Sequence, residues 1–177
     1  DWVRLLHGEQ AFEILKPLRP GATYVGNYRV LGVVDKGAGK GALLFLRKEL
    51  REKGSADIVS TVDSTYFMRG DGGCGGTGME APAPHAIPDR APDSSITISI
   101  LPRAALIYRL SGDYNPIHAD PVTARKAGFD RPILHGLCSL GVATRAIVQA
   151  ACDDKAEHLR SLSLRFSSPV YPGETLV

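Results

Sequence analysis

Residues 17–25 read PLRPGATYV and residues 169–177 read PVYPGETLV, so the pattern P-x-x-P-G-x-T-x-V occurs twice. In each copy a Pro-Gly turn leads into a short segment with strand character. A domain-sized interval separates the two copies. This spacing indicates a duplicated α+β unit rather than a short solenoid repeat, with chance coincidence as the alternative. The repeat therefore predicts two related units in one chain.

The sequence between the two copies shows both strand-like and helix-like hydrophobic patterns. Alternating or β-branched stretches predict strands, and apolar residues spaced three and four apart predict helices. The predicted strands are Thr23–Val34, Ala42–Leu46, Ile58–Met68, Ile96–Ile100 and 162–166, and the predicted helices are Arg103–Leu110 and a long one from Gly136 to about Asp153.

Glycine and proline are concentrated between these two sets of segments. Residues 70–78 read GDGGCGGTG, and four prolines follow by residue 92, which is typical of a linker. We therefore predict the closing strands of an N-terminal unit at 1–69, a Gly/Pro-rich linker at 70–94, and a second unit at 95–177. The first unit has no predicted helix and the second stops just after the repeated turn, so we expect the fold to be incomplete at both ends.

The composition excludes several classes of protein. The chain has 177 residues, 44% of them hydrophobic, which is enough to bury a core. Lys and Arg total 21 against 19 Asp and Glu, a net charge of +2, which argues against a nucleic acid or an anionic membrane as main partner. No apolar run is long enough to span a bilayer. The three cysteines share no CxxC spacing, which argues against a disulfide framework or a zinc site.

The densest group of polar residues is in YRLSGDYNPIH (residues 108–118). Asp113, Asn115 and His118 lie within six residues of a turn that Gly112 and Pro116 constrain. A carboxylate and an imidazole that share one water, with an amide to orient it, suit general acid–base chemistry beside a carbonyl. The alternative is an Asx turn with a histidine satisfied by local hydrogen bonds.

A second candidate feature is ILHG (residues 133–136) at the start of the long predicted helix. The backbone N–H groups at a helix N-terminus have no partner within the helix and favour a developing oxyanion. The alternative is that Gly136 only marks the beginning of the helix.

Together these motifs resemble the hydratase 2 family, the MaoC-like (R)-specific enoyl-CoA hydratases. G-D-x-N-P-x-H (residues 112–118), with Ala124 six residues after the histidine, is similar to the family signature, and residues 134–138 resemble its oxyanion segment. Residues 5–10 (LLHGEQ), 35–37 (DKG) and 70–76 (GDGGCGG) resemble two-domain members, the hydratase units of peroxisomal multifunctional enzymes type 2. The resemblance implies an α+β double hot-dog fold, in which each half is a long helix wrapped by an antiparallel sheet.

The resemblance also implies a role for individual residues. Asp113 and His118 would be the acid–base pair, Asn115 would help to hold the water, and the Gly136 amide would bind the thioester oxygen. The residues expected beside the acyl-CoA are His7, Gly8, Lys36, Tyr114, Pro116, Ile117 and Phe166. For Phe166 core packing is the alternative, and for Lys36 an exposed loop lysine. No metal or other cofactor is expected, because the substrate itself carries coenzyme A.

The implied activity is addition of water to trans-2-enoyl-CoA to give (3R)-3-hydroxyacyl-CoA, a hydro-lyase reaction of fatty-acid β-oxidation. A dehydratase of another acyl thioester and a non-catalytic acyl-CoA-binding module are the alternatives. GAGKG (residues 37–41) lacks the Ser or Thr of a phosphate-binding P-loop, and the five histidines form no zinc-binding pair. We expect a homodimer in the cytoplasm, or in the peroxisome if the source is eukaryotic.

Overall fold

A computed structural model describes residues 4–177, and its internal contacts divide the chain into two units. Unit 1 runs up to Ala83 and also includes Glu157–Phe166, whereas unit 2 comprises Pro84–Ala156 and Ser167–Val177. Residues 157–166 therefore group with the first unit, although the division predicted from the sequence placed them in the second unit, at 95–177.

Within residues 4–177, strands dominate unit 1, and the three α-helices belong to unit 2. No helix of this described part is long and apolar enough to cross a bilayer. The strands are β1 (Leu5–Ile14), β2 (Tyr24–Asp35), β3 (Ala42–Glu52), β4 (Ile58–Met68), β5 (Ile98–Ser99), β6 (Ser161–Arg165) and β7 (Thr175–Leu176), and the helices are α1 (Ala104–Tyr108), α2 (Pro121–Lys126) and α3 (Gly136–Ala151).

Unit 1 is an antiparallel sheet with the strand order β2-β3-β4-β1-β6. The three strands predicted before residue 70 are β2, β3 and β4, and the strand predicted at 162–166 is β6. Strand β1 was not predicted, because Gly8 interrupts its alternation. The register of β1 against β4 shifts between His7 and Glu9, and a Cβ on Gly8 would lie 3.3 Å from the Thr65 carbonyl oxygen. Gly8 is thus the site of a β-bulge that a larger residue would crowd.

The glycine-rich segment after β4 is folded against unit 1 and is not a free connector over residues 72–77. The Asp35 carboxylate accepts hydrogen bonds from the N–H groups of Gly73 (2.8 Å) and Gly75 (2.7 Å), and the Thr77 N–H donates to the Val33 carbonyl (2.9 Å). A Cβ on Gly72 would lie 2.2 Å from the Gly37 oxygen, so only glycine fits there. This part of the linker predicted at 70–94 is therefore ordered by hydrogen bonds with Val33 and Asp35.

The repeated motif adopts the same turn in both copies. The Ala22 N–H donates to the Arg19 carbonyl, and at the equivalent position the Glu174 N–H donates to the Tyr171 carbonyl. The glycines in these turns, Gly21 and Gly173, have φ of +76° and +93°, a conformation that L residues with a side chain avoid. A strand, β2 or β7, begins one or two residues after each turn. The duplicated sequence thus encodes a duplicated local structure.

Unit 2 is built around helix α3. Ile100, Ala105 and Leu134 form its buried centre, and α3 packs Cys138 and Val142 against them. The long helix predicted from Gly136 is confirmed, and it ends at Ala151, shortly before Asp153 adopts a positive φ of 52°. The predicted helix 103–110 is shorter than expected, since α1 stops at Tyr108 and a 3₁₀ turn follows. The predicted strand 96–100 is reduced to β5, which pairs with β7.

Candidate active site

A loop between α1 and α2 carries the polar residues predicted to be catalytic. Gly112, with φ of +112°, ends the 3₁₀ turn after α1, and the Asn115 side chain accepts a hydrogen bond from the Ile117 N–H (3.1 Å). Pro116 occupies the first position of the next 3₁₀ turn, where its fixed φ is favourable and no N–H is needed. Asp120 caps α2. The side-chain caps of Asn115 and Asp120 therefore hold the second half of the loop.

His118 is oriented by its Nδ1–H group, which donates a hydrogen bond to the Ile133 carbonyl oxygen at 2.8 Å. In a neutral imidazole this bond leaves Nε2 as the unprotonated nitrogen. Partial burial lowers the pKa of His118, and the nearby His135 ring adds to this, although the bond to Ile133 opposes it. The ring is therefore favoured in its neutral form, with a basic nitrogen at Nε2.

Asp113 is exposed and folded back on its own loop. One carboxylate oxygen accepts a hydrogen bond from the Asn115 N–H (3.2 Å), which is an Asx turn. The Asx turn, which was the alternative interpretation of this loop, is therefore present. The loop nevertheless brings chemistry-bearing groups together, because ligand atoms of Asp113, His118 and His135 all lie within 4.8 Å of one another. An Asx turn and an acid–base pair are compatible in this geometry, since the second carboxylate oxygen is not used by the turn.

His135 is the residue that the sequence analysis missed. Its side chain is 1% exposed, and its ring stacks on the His118 ring with centroids 3.8 Å apart and planes 28° apart. Its Nε2–H group donates to the main-chain carbonyl of Asp113 (3.2 Å). Burial lowers the pKa of His135, so this ring is also favoured as neutral. The signals in the sequence were the position of His135 directly before Gly136 and its place in residues 134–138, which resemble the family's oxyanion segment.

Gly136 is the first residue of α3, and His135 is its N-cap without a side-chain cap bond. The N–H groups of Cys138 and Ser139 donate to the His135 carbonyl, at 3.0 and 3.1 Å. Helix geometry leaves the Gly136 N–H without an intrahelical acceptor, and the positive end of the helix dipole lies there. An anion that forms beside Gly136 would be stabilised by both.

Asp113, His118 and His135 are also a candidate set of metal ligands, since their ligand atoms all lie within 4.8 Å of one another. A metal binds imidazole in the plane of the ring, at roughly 2.1 Å from nitrogen. Hydrogen bonds to the Ile133 and Asp113 carbonyls already use Nδ1 of His118 and Nε2 of His135. Each ring therefore has one nitrogen left that could bind a metal.

Of the predicted substrate contacts in unit 1, three lie together. The His7 ring lies edge-on to the Phe166 ring (centroids 5.1 Å apart) and stacks on Tyr66 (4.9 Å), and the Phe166 N–H donates to the Gly8 carbonyl (2.9 Å). Lys36 follows the end of β2, where its Nζ lies 5.4 Å from the centre of the Phe67 ring. Neither Tyr66 nor Phe67 was singled out from the sequence, because neither stands in a recognisable motif.

The remaining predicted contacts lie within the loop between α1 and α2 in unit 2. Tyr114 is 60% exposed, and the Arg109 guanidinium lies 5.3 Å from its ring centre. Pro116 is half-buried. Ile117 is only 3% exposed, and its N–H is bonded to Asn115, so its side chain belongs to the core of the unit. Substrate contact through the Ile117 side chain is therefore not supported.

Two known family models match this chain. Residues 84–177 match the family described as MaoC like domain, and residues 1–70 match the MFE-2 hydratase 2 N-terminal domain. The chain belongs to the MaoC-like family. As predicted from the motifs, the MaoC-like match contains the whole loop between α1 and α2 and the start of α3.

Individual relatives agree with this assignment. The MaoC-like chain is 44% identical over 173 residues to 3-hydroxyacyl-thioester dehydratase Y of Mycobacterium tuberculosis, covering 97% of this chain and 60% of that protein. It is 41% identical over 182 residues to the peroxisomal enoyl-CoA hydratase 2 of Arabidopsis thaliana, covering 98% and 58%. The MaoC-like chain therefore spans about 60% of the length of these curated relatives.

A solved structure supports the fold. The crystal structure of a MaoC-like dehydratase from Phytophthora capsici matches with a TM-score of 0.87 at 43% identity, covering 99% of this chain and 61% of that one. The α+β hot-dog fold predicted for this MaoC-like chain is thereby confirmed.

Proposed function

We propose that this chain carries (R)-specific 2-enoyl-CoA hydratase activity, adding water to trans-2-enoyl-CoA to give (3R)-3-hydroxyacyl-CoA. The observation that carries the proposal is the hydrogen bond from Nδ1 of His118 to the Ile133 carbonyl. It leaves a basic Nε2 in the cluster that also contains the Asp113 carboxylate. A binding module would have no use for such a pair.

In the proposed reaction, Nε2 of His118 accepts a proton from a water molecule while the water oxygen bonds to C3. The C2–C3 π electrons move toward the thioester, which becomes an enolate. The His118 imidazolium then gives a proton to C2, so the ring returns to neutral and one water has been added. Asp113 accepts a hydrogen bond from the second proton of the water and fixes its orientation. We propose that the Asn115 amide N–H₂ donates to the same water.

The Gly136 N–H is proposed to donate to the thioester oxygen as negative charge develops on it. One such donor contributes about 3 kcal/mol to the stability of the transition state. This role is supported by the position of Gly136 at the first residue of α3, where the N–H has no intrahelical acceptor.

The residues of unit 1 are proposed to contact the acyl-CoA. His7, Gly8 and Phe166 form one cluster, and Lys36 stands near Phe67. An ammonium group suits a phosphate of coenzyme A, and aromatic rings suit an acyl or adenine group. Tyr114 and Pro116 of unit 2 are proposed to contact the substrate beside Asp113.

The roles of the two parts of the chain, its cofactors, its assembly and its compartment are also proposals. We propose an N-terminal acyl-binding part and a C-terminal catalytic part joined near residues 70–94, with no metal or cofactor beyond the substrate's own coenzyme A. A homodimer is the proposed assembly. The proposed compartment is the cytoplasm, or the peroxisome in a eukaryotic source, as the name of the Arabidopsis relative suggests.

A dehydratase of another acyl thioester is the second candidate. The 44% identical relative from Mycobacterium tuberculosis is named a 3-hydroxyacyl-thioester dehydratase, and the same acid–base pair runs the reaction in reverse. The carrier group of the thioester distinguishes the two candidates, because one active site catalyses the reaction in both directions.

The test is loss of the conjugated enoyl-thioester absorbance when the purified chain meets a medium-chain trans-2-enoyl-CoA, with chiral analysis of the product. Formation of the (3R) alcohol would support the hydratase proposal. Turnover of a carrier-protein thioester but not of the CoA ester would favour the second candidate. Tight acyl-CoA binding without turnover of either thioester would favour a non-catalytic module and contradict both.

A further inference from the structure

His135 is the one member of the Asp113–His118–His135 cluster to which the proposed reaction gives no task. It contacts neither the water nor the thioester in the mechanism above. It is nevertheless the most buried of the three residues, and it contacts both of the others.

We infer that His135 is a positioning residue that holds His118 and Asp113 in one arrangement, through its ring face and its Nε2–H group respectively. The inference rests on the proposed hydratase function for its catalytic consequence. The contacts of His135 with His118 and Asp113 do not depend on the proposed function, since they are present without substrate.

The contact with His118 fixes the direction of the basic nitrogen. The bond from Nδ1 to Ile133 anchors one edge of the His118 ring, but a single hydrogen bond can open and re-form when the ring is free to move. The His135 ring covers one face of the His118 ring at 3.8 Å, which is close packing for aromatic rings and blocks a pivot toward that side. Two anchors at different parts of one ring hold Nε2 in a fixed direction.

The contact with Asp113 fixes the loop that carries the carboxylate. Asp113 is exposed and follows Gly112, whose backbone is conformationally free. The Nε2–H of His135 donates to the Asp113 carbonyl at 3.2 Å and so ties this loop residue to a buried side chain. Without that bond, the Asx turn to Asn115 would be a purely local constraint on the carboxylate.

His135 is itself well held, so it can serve as a reference point for the other two. It is the N-cap of α3, and the Tyr108 ring packs on it with centroids 4.7 Å apart. Because His135 directly precedes Gly136, the same backbone segment also sets the position of the proposed oxyanion donor. One residue thereby connects the base, the carboxylate and the oxyanion site.

The hydrogen bonds also select the protonation state of His135. Its Nε2 is protonated, because this N–H group donates the hydrogen bond to the main-chain carbonyl of Asp113. Its buried Nδ1 has no hydrogen-bond partner within residues 4–177. Protonation of Nδ1 would create a buried charge against the His118 ring. The titratable groups that interact with this ring are Tyr108, Arg109, Asp113 and His118. A neutral His135 is the form that packs against a basic His118.

Two substitutions separate the two contacts. His135→Phe keeps a ring against His118 but removes the donor to Asp113. His135→Gln places an amide N–H near the position of Nε2 but removes the ring. His85→Gln is the matched control, because His85 is an exposed histidine of the same unit.

The experiment uses the whole chain and two readouts. Two-dimensional ¹H–¹⁵N spectra of the histidine rings report the tautomer of His118 and its titration without any substrate. Steady-state hydration of a medium-chain trans-2-enoyl-CoA reports kcat and KM separately, and thermal unfolding reports the integrity of the fold.

We expect His118 to be in the single Nδ1–H tautomer in the native protein and in His135→Phe. In His135→Gln we expect averaged tautomers and a titration closer to that of a free histidine. Both variants should lose kcat by roughly 10- to 100-fold with KM little changed, as for a displaced catalytic group. His85→Gln should match the native protein.

An unchanged His118 spectrum in folded His135→Gln overturns the first contact, even if stability or activity falls. An unchanged kcat in His135→Phe overturns the second. If the native protein hydrates no enoyl-CoA, the proposed function fails, whereas the tautomer of His118 in His135→Gln still decides whether His135 positions it.

Discussion

Replacing Gly136 with proline removes the proposed oxyanion donor with little change to the backbone. Gly136 is the first residue of α3, the helix position that tolerates proline best because its N–H has no intrahelical acceptor. Proline also requires an extended residue before it, and His135 already has φ of −58° and ψ of 134°. The substitution therefore deletes one N–H group and leaves the helix start in a conformation that proline favours.

Gly136→Ala is the matched control, since it adds a Cβ but keeps the N–H. If the N–H stabilises the enolate-like transition state, Gly136→Pro should lose about 100- to 1,000-fold in kcat relative to Gly136→Ala, or about 3 to 4 kcal/mol. KM should change little, because the charge develops only in the transition state. The assay is the loss of enoyl-thioester absorbance at saturating substrate, with circular dichroism to verify that α3 is retained. Equal kcat values for the folded Pro and Ala variants would refute the oxyanion role.

Three further predictions concern pH and the glycine-rich segment. Because burial lowers the pKa of His118, the acid limb of kcat/KM should lie below the ordinary histidine value of 6.5, and a limb above it would contradict the buried neutral base. Three backbone N–H groups lower the pKa of Asp35 from its ordinary 3.8, so its stabilisation is present at neutral pH and lost as the pH falls through the lowered value. Asp35→Asn should thus increase proteolysis of residues 70–78 at pH 7 and flatten the acid dependence of unfolding, and unchanged cleavage would count against that contact. Gly72→Ala should destabilise by about 2 kcal/mol or more through its clash with Gly37, whereas Gly141→Ala, in open space on α3, should stabilise by about 0.5 to 1 kcal/mol, as measured by urea unfolding.

The elements predictable from sequence are those whose signal is local. The spacing of apolar residues after Gly136 reflects the face that α3 packs against the core of unit 2. The repeated Pro-Gly turns were equally readable, because a positive φ at Gly21 and Gly173 is a local requirement. A structural requirement that acts within one element can therefore be predicted from the sequence of that element.

The features that were missed depend on contacts between distant residues. Composition alone makes residues 70–78 resemble a linker, but the hydrogen bonds that order Gly73 and Gly75 come from Asp35 in another part of the sheet. Likewise, strand β1 is held across a bulge at Gly8 by its neighbour β4, although its own alternation is broken. Such partners are visible only once the chain is folded.

The candidate site divides in the same way. Asp113, Asn115 and His118 stand close together in the sequence and were found there, and the structure brings Asp113 and His118 into one cluster. His135 lies 17 positions after His118 in the sequence. Its importance comes from burial and from stacking on His118, and neither can be predicted from a single histidine in the sequence. Ile117 was expected at the substrate because it lies inside the motif, yet the fold uses it as core.

The most direct test of the account is the turnover number of the chain with a medium-chain trans-2-enoyl-CoA, measured beside Asp113→Asn and His118→Gln. Both substitutions keep the size and polarity of the side chain but remove the carboxylate charge or the basic Nε2. The account predicts hydration by the native chain, and a loss of roughly 100-fold or more in kcat in each variant with acyl-CoA binding retained. Turnover by His118→Gln at the native rate would contradict the assignment of His118 as the base and, with it, the central claim.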